Sequence, residues 1–174
     1  KQRLMAFYGQ LKDKQMTRLY KRASLFGGNQ TIDFLKLLER RLDIILMRLK
    51  ISPSLPECRQ LIQHGHFLVN GKKVYSASSL LNIGDTISVK TSSRRLVQEM
   101  VSRYLSSISK DIKKIPLDKT FERHPLLFTP NYLEFNYRIM QGVYTSLPNT
   151  STVLFPINVK LSELTEFYKY KRKV

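Results

Sequence analysis

Apolar residues recur at helical spacing through the first 25 positions. Leu4, Phe7, Leu11, Met16, Leu19 and Leu25 form the series, and Gly9 interrupts it. Lys12, Lys14, Arg18, Lys21 and Arg22 fall between them, with Tyr8 and Tyr20 expected at the edge of this basic stripe. Phe26-Gly27-Gly28-Asn29 reads as a turn. Thr31 is then placed to cap a helix with Asp33 in its positive first turn. Ile32, Leu35, Leu38, Leu42, Ile45 and Leu49 step by three or four, which predicts one amphipathic helix to about Lys50. Arg40, Arg41 and Arg48 lie off its apolar stripe.

Ser52-Pro53-Ser54 breaks that pattern, and Ser54 with Glu57 reads as a capping box with Pro56 in the first turn. In the short helix that follows, Cys58, Leu61 and Ile62 face inward. Arg59, Gln60, Gln63 and His64 face outward, and Gly65 is placed to end the helix in a left-handed conformation. Phe67-Leu68-Val69, Asn70-Gly71 and Lys72-Lys73-Val74 predict a two-residue hairpin. Residues 75–83 look irregular, and Gly84-Asp85 turns into a strand from Thr86 to Lys90. A helical period returns from Arg94 to Ile108, with Leu96, Val97, Met100, Val101, Tyr104, Leu105 and Ile108 on one side. Residues 109–130 read as a basic, mostly irregular linker. Leu133, Phe135, Tyr137 and Ile139 alternate with polar residues as in a half-buried strand. Val153-Leu154-Phe155 offers a further strand, residues 158–170 a last helix, and the end is basic. No internal repeat or low-complexity tract is present.

Charge narrows the functional classes. Thirty Lys and Arg against thirteen Asp and Glu give a formal +17 over 174 residues, spread along the whole chain. Such an excess repels itself unless a polyanion offsets it, and nucleic acid suits it better than an anionic membrane surface. With 42% hydrophobic residues the chain can bury a core, and no apolar run reaches the ~18 residues of a membrane span. The first residues lack the apolar region of a secretory signal. A single cysteine, Cys58, permits no internal disulfide and points to a reducing compartment.

Catalytic motifs are missing. Neither standard Gly-rich phosphate loop nor a Gly-x-Ser-x-Gly elbow occurs. His64-x-His66 has no acidic or Cys neighbour in sequence, so it reads as a hydrogen-bonding or stacking element and not as a metal site. Arg41-Leu42-Asp43 approaches the Gly-Arg-Leu-Asp of some RNA-modifying enzymes, but Arg40 replaces the glycine. Asp43 is expected to pair with Arg40 or another nearby base. The two short helices and the hairpin form a unit of ~50 residues. Its outer side carries Arg40, Arg41, Arg48, Arg59, Gln60, Gln63, His64, Lys72 and Lys73. That irregular, basic, polar face suits folded RNA more than duplex DNA.

The stretch ERRLDIILMRLKISPSLPECRQLIQHGHFLVNGKKV closely resembles the RNA-binding unit of the small-subunit ribosomal protein four family. FYGQLKDKQMTRLYKRA, NIGDTISVK, NYLEFNYRIMQGVYTSLPN and INVKLSELTEFYKYK resemble its flanking segments, so the similarity covers most of the chain. The central unit alone also occurs in pseudouridine synthases, tyrosyl-tRNA synthetases and small heat-shock RNA binders. An RNA-modifying enzyme and a heat-shock RNA chaperone are therefore the alternative readings.

The resemblance implies an α+β fold: a helical domain (1–39 with 94–174) holding an inserted α/β RNA-binding unit (40–92), two helices and a short twisted sheet. It implies a non-enzymatic constituent of the small ribosomal subunit, without cofactor or metal. This constituent would bind small-subunit rRNA directly and act early in assembly, beside ribosomal protein five and the path by which mRNA enters. Neither a membrane nor a second copy of the chain is an expected partner. Carried over by position, the RNA face includes Arg40, Arg41, Arg48, Arg59, Gln60, His64, Asn70, Lys72 and Lys73. The residues themselves add Gln63, His66 and the stripe of Lys12, Lys14, Arg18, Lys21 and Arg22. The family's usual segment before KQRLMAFYGQ, zinc-binding in some bacterial members, lies outside this sequence. The carboxyl-terminal part resembles organelle-encoded relatives, which implies a mitochondrial subunit or, alternatively, a plastid one.

Overall fold

The computed structural model describes residues 2–113, 130–148 and 166–168. Two helices, α1 (Gln2–Phe7) and α2 (Asp13–Ala23), flank the break at Gly9, which takes a positive φ of 69°. On α2, Met16, Tyr20 and Ala23 are buried while Lys14, Arg18, Lys21 and Arg22 are exposed. Asp13 begins this helix and Lys21 and Arg22 end it, matching charge to the helix dipole. Tyr20 meets Phe34 of α3 (Gln30–Glu39) edge to face, with centroids 5.8 Å apart. Such a pair adds about 0.5–1.5 kcal/mol beyond burial alone. Tyr8 and Tyr20 thus belong to the core, not to the edge of the basic stripe.

Where the apolar period predicts one helix to Lys50, the chain forms two, α3 and α4 (Leu42–Arg48). The break has a tertiary cause. Arg41 is extended and bridges to Leu80, Leu42 N donates to Ser79 O, and Asp43 N donates to Ala77 O. Leu81 N in turn donates to Arg40 O. The 77–81 loop therefore supplies the partners that α4's first backbone groups lack. Asn29, and not Thr31, caps α3, accepting from Thr31 N at 3.1 Å.

Helix α4 ends in a Schellman turn with Lys50 left-handed at φ 56° and Ile51 N bonded to Leu46 O. Helix α5 (Leu55–Gln63) starts at Ser54, whose side chain makes no cap bond; Ser52 Oγ reaches Glu57 instead. Gly65 closes α5 at φ 71°, and His66 N bonds Leu61 O in a second Schellman turn.

Strands β1 (Phe67–Val69) and β2 (Lys72–Lys73) form the predicted hairpin, with Asn70 and Gly71 at φ 50° and 75°. β3 (Thr86–Val89) pairs with β1, aligning Phe67 with Val89 and Val69 with Ile87. A short 3₁₀ turn, Thr91–Ser93, leads into α6 (Arg94–Lys113). This helix runs past the predicted end at Ile108 and takes the first residues of the expected linker. Val97 and Val101 are buried on it, while Leu96 and Leu105 are exposed, so only part of the predicted apolar side is covered.

The strand expected over 133–139 stops earlier. β4 (Leu133–Asn136) ends where Asn136 Oδ1 accepts from Arg138 N at 2.9 Å, and the chain turns into β5 (Gln141–Tyr144). β5 pairs with β4 and with β3, giving one antiparallel sheet of order β2-β1-β3-β5-β4. That sheet joins strands from both sides of the boundary expected near residue 92. Gly142 is required at its place: a Cβ there would lie 2.5 Å from Glu134 O. Residues 166–168 are helical, and Tyr168 stacks on Tyr20. The expected strand at 153–155 and most of the expected 158–170 helix lie outside the described residues.

Candidate nucleic-acid interface

Two buried carboxylates flank the α3–α4 break and decide which arginines reach the surface. Glu39 is fully buried at the end of α3. It accepts from Tyr8 Oη at 2.6 Å, Tyr132 Oη at 2.9 Å, and Arg48 Nε and Nη2 at 3.2 and 2.9 Å. Phe7 lies 5.4 Å from the Arg48 guanidinium, ring centroid to Cζ. Burial works against the charge on Arg48, but the Glu39 carboxylate outweighs it and holds the guanidinium protonated. Burial, reinforced by the Glu39 charge, pushes Tyr8 and Tyr132 well above the usual phenol range.

Asp43, also fully buried, accepts from Arg41 Nε and Nη2 at 3.0 and 2.8 Å and from Arg59 Nε at 2.8 Å. Arg59 extends the network, donating to Gly9 O at 2.7 Å and Tyr8 O at 3.1 Å. The expectation of a base near Asp43 holds, with Arg41 and Arg59 in place of Arg40. Arg41 and Arg48 do not lie on an outer face; Arg48 is 2% exposed. An arginine so enclosed cannot meet a phosphate without opening the core. Arg59 is partly exposed, yet its donors tie the turn after α1 to α5 and α4.

The remaining candidates divide into two exposed groups. Lys12, Lys14, Arg18, Lys21 and Arg22 line α2 and its start. Lys14, Arg18 and Arg22 are spaced by four, so they rise about 6 Å per step along one face. The second group surrounds the α5–β1 turn and the hairpin. Gln60, Gln63, His64, Lys72 and Lys73 are exposed and His66 is half-buried. A cavity of about 270 Å³ brings Gln60, His64 and His66 together with Glu57, Leu61 and Met100. The two imidazoles lie 5.9 Å apart, and His66 Nδ1 is 2.8 Å from Ser93 Oγ. Among the described residues no group of three or more His, Cys, Asp or Glu is placed to hold a metal.

Asn70 shapes this face more than it offers itself. Its amide donates to Asp85 at 2.8 Å and its oxygen accepts from Thr86 N at 2.9 Å, fixing the hairpin against β3. Arg40 is half-buried, bonded to Leu81 O at 2.7 Å and to Asn82 Oδ1. Cys58 is a core residue whose thiol burial pushes up to about 12, where it is no nucleophile. Sequence reasoning assigned no role to Arg95, Arg103, Arg138 or Tyr75, all exposed. The local signal was only charge at the polar positions of a predicted helix (Arg95, Arg103) or strand (Arg138), and a lone aromatic in a stretch read as irregular (Tyr75).

The arrangement is an α+β scaffold that exposes basic and amide side chains in two groups, on α2 and around the hairpin, an organisation that suits a shape-reading RNA-binding module. Residues 40–87 match the S4 domain model. The chain is similar over 97% of its length, and over 73% of theirs, to proteins named small ribosomal subunit protein uS4. These are 32% identical in Granulibacter bethesdensis and 34% identical in Rickettsia canadensis and Rickettsia bellii. The chain belongs to the uS4 family of small ribosomal subunit proteins.

Proposed function

We propose that this protein is a structural constituent of the small ribosomal subunit that binds small-subunit rRNA directly and nucleates assembly around the contact. Family membership across 97% of the chain is the observation that carries the reading. The geometry gives it a mechanism. Buried ion pairs at Glu39 and Asp43 make the scaffold stiff. Exposed cations on α2 and on the hairpin neutralise phosphates, and Gln60, Gln63 and His64 supply hydrogen bonds. Because the scaffold is ordered beforehand, less ordering entropy opposes binding.

A synthase-type reaction gains nothing from this site, since Asp43 lies inside the fold against Arg41 and Arg59. The role is structural. In finer detail, the 40–92 unit acts as an insertion within the 1–39 and 94–174 domain. The protein sits beside ribosomal protein five and the mRNA path. The subunit is mitochondrial, with plastid as the alternative, on the resemblance of NYLEFNYR and the Tyr-rich basic end to organelle-encoded relatives.

Purified protein should bind small-subunit rRNA fragments in preference to random RNA of equal length at about 150 mM salt, where non-specific binding is weak. Equal affinity for both would overturn the reading. The organelle assignment is tested separately, by asking whether the chain sediments with small subunits from mitochondria or from plastids.

A further inference from the structure

We propose that Tyr75 is a stacking platform for an unpaired RNA base, a site that rests on the rRNA-binding reading and refines it. Three observations converge. First, Tyr75 is 58% exposed two residues beyond β2, although a large aromatic ring gains much from burial. Second, the ring is held in place. The ring lies against Gly65: a Cβ on that glycine would sit 2.8 Å from Tyr75 Cε1 and 3.5 Å from Cδ1 and Cζ. Val74 N bonds Phe67 O at 3.4 Å, fixing the backbone just before it. Seated against Gly65, Tyr75 still keeps more than half of its surface in solvent. Third, its surroundings belong to the basic face. Gly65 lies between His64 and His66, and Lys72 and Lys73 precede Tyr75 on the same hairpin arm.

A fixed, open aromatic ring beside phosphate-neutralising lysines is the combination that holds a single unstacked base, since every base has a π face. Gly65 gains a second purpose here. Its left-handed backbone ends α5, and its missing side chain leaves the bed on which Tyr75 rests. The ligand is a nucleotide displaced from its helix in a loop, bulge or junction, with its phosphates toward Lys72 and Lys73. Recognition is by stacking and is indifferent to base identity.

The test compares wild type, Tyr75→Phe and Tyr75→Ala on a small-subunit rRNA fragment over a range of salt, with random RNA as control. Tyr75→Ala should bind roughly 5- to 150-fold more weakly, the range for loss of one base stack, while Tyr75→Phe stays near wild type. The salt slope should be the same for all three, because no charge has changed. Rings stacked on 5-iodouridine-substituted RNA also cross-link on irradiation, and Tyr75 should carry the adduct. If Tyr75→Ala binds the fragment as wild type does, the platform is refuted while rRNA recognition stands. A salt slope altered by Tyr75→Ala would refute it too. If wild-type protein does not prefer the rRNA fragment to random RNA, both readings fall.

Discussion

Replacing Glu39 removes the acceptor on which three elements converge. Tyr8 just after α1, Tyr132 before β4 and Arg48 at the end of α4 all donate to it in a site closed to water. Glu39→Ala leaves the Arg48 guanidinium buried beside a cavity and two phenols without an acceptor they now use. Breaking a buried pair by removing one partner costs about 3–5 kcal/mol. Each orphaned hydroxyl adds about 1–3 kcal/mol. The terms overlap because they share one site, so a total near 5 kcal/mol is expected, comparable with the lower end of ~5–15 kcal/mol for a whole domain. Glu39→Gln keeps one oxygen and the shape, and about half that loss should follow. Pairing Glu39→Leu with Arg48→Met removes both charges and should recover at least 1 kcal/mol relative to Glu39→Ala, as apolar replacements of buried pairs do. Urea unfolding followed by circular dichroism, with m-values checked for constancy, measures all three. A loss below about 1 kcal/mol for Glu39→Ala would show that the network does not hold the fold.

Other consequences follow from neighbouring contacts. Arg59→Ala removes the bonds to Gly9 O and Tyr8 O as well as the Asp43 pair. Hydrogen exchange should rise in residues 2–10, with about 1.5–3 kcal/mol of stability lost. The tyrosines give a pH signature. Burial first, then the Glu39 charge, raises Tyr8 and Tyr132 above the usual value, so folding binds their protons more tightly than the unfolded chain does. Their contribution is complete below about pH 10 and declines as pH rises through the folded values. Phenolate absorbance should therefore show a normal phase followed by a late phase that coincides with unfolding; a single normal phase would contradict the burial. Gly142→Ala places a methyl group against Glu134 O and should open the β4–β5 pair at a cost of about 2 kcal/mol or more, read by the midpoint in urea.

Local chemistry made much of this molecule legible. Gly65 and Asn70-Gly71 need left-handed backbone, and their neighbours carry the matching helix and strand patterns, so α5 and the hairpin could be drawn before the structure was known. The α3–α4 break could not. The apolar period runs through Arg40 and Arg41 unchanged, and what ends α3 is a set of bonds from residues 77–81, some forty positions away. β5 was missed because Gln141-Gly142-Val143-Tyr144 shows no recognised apolar alternation, and Gly142 is needed only by the strand beside it. The arginines carry the same lesson to the site. In sequence Arg41 and Arg48 resemble Arg18 and Arg22, all basic residues off an apolar stripe. Only the fold shows that Glu39 and Asp43 are buried and draw their basic partners inward. Lys72 and Lys73 stayed outside because the edge strand β2 has no acidic residue beside it in the sheet.

That division between inner and outer cations is the central claim, and the salt dependence of rRNA binding tests it most directly. Each phosphate contact contributes a slope of about −0.7 to −0.9 in log affinity against log salt. Lys72→Ala with Lys73→Ala should flatten the slope by about one to two units and leave the urea midpoint nearly unchanged. Arg48→Met should do the reverse, shifting the midpoint and leaving the slope of the folded protein as it was. A slope altered by Arg48→Met and indifferent to the two lysines would contradict the account.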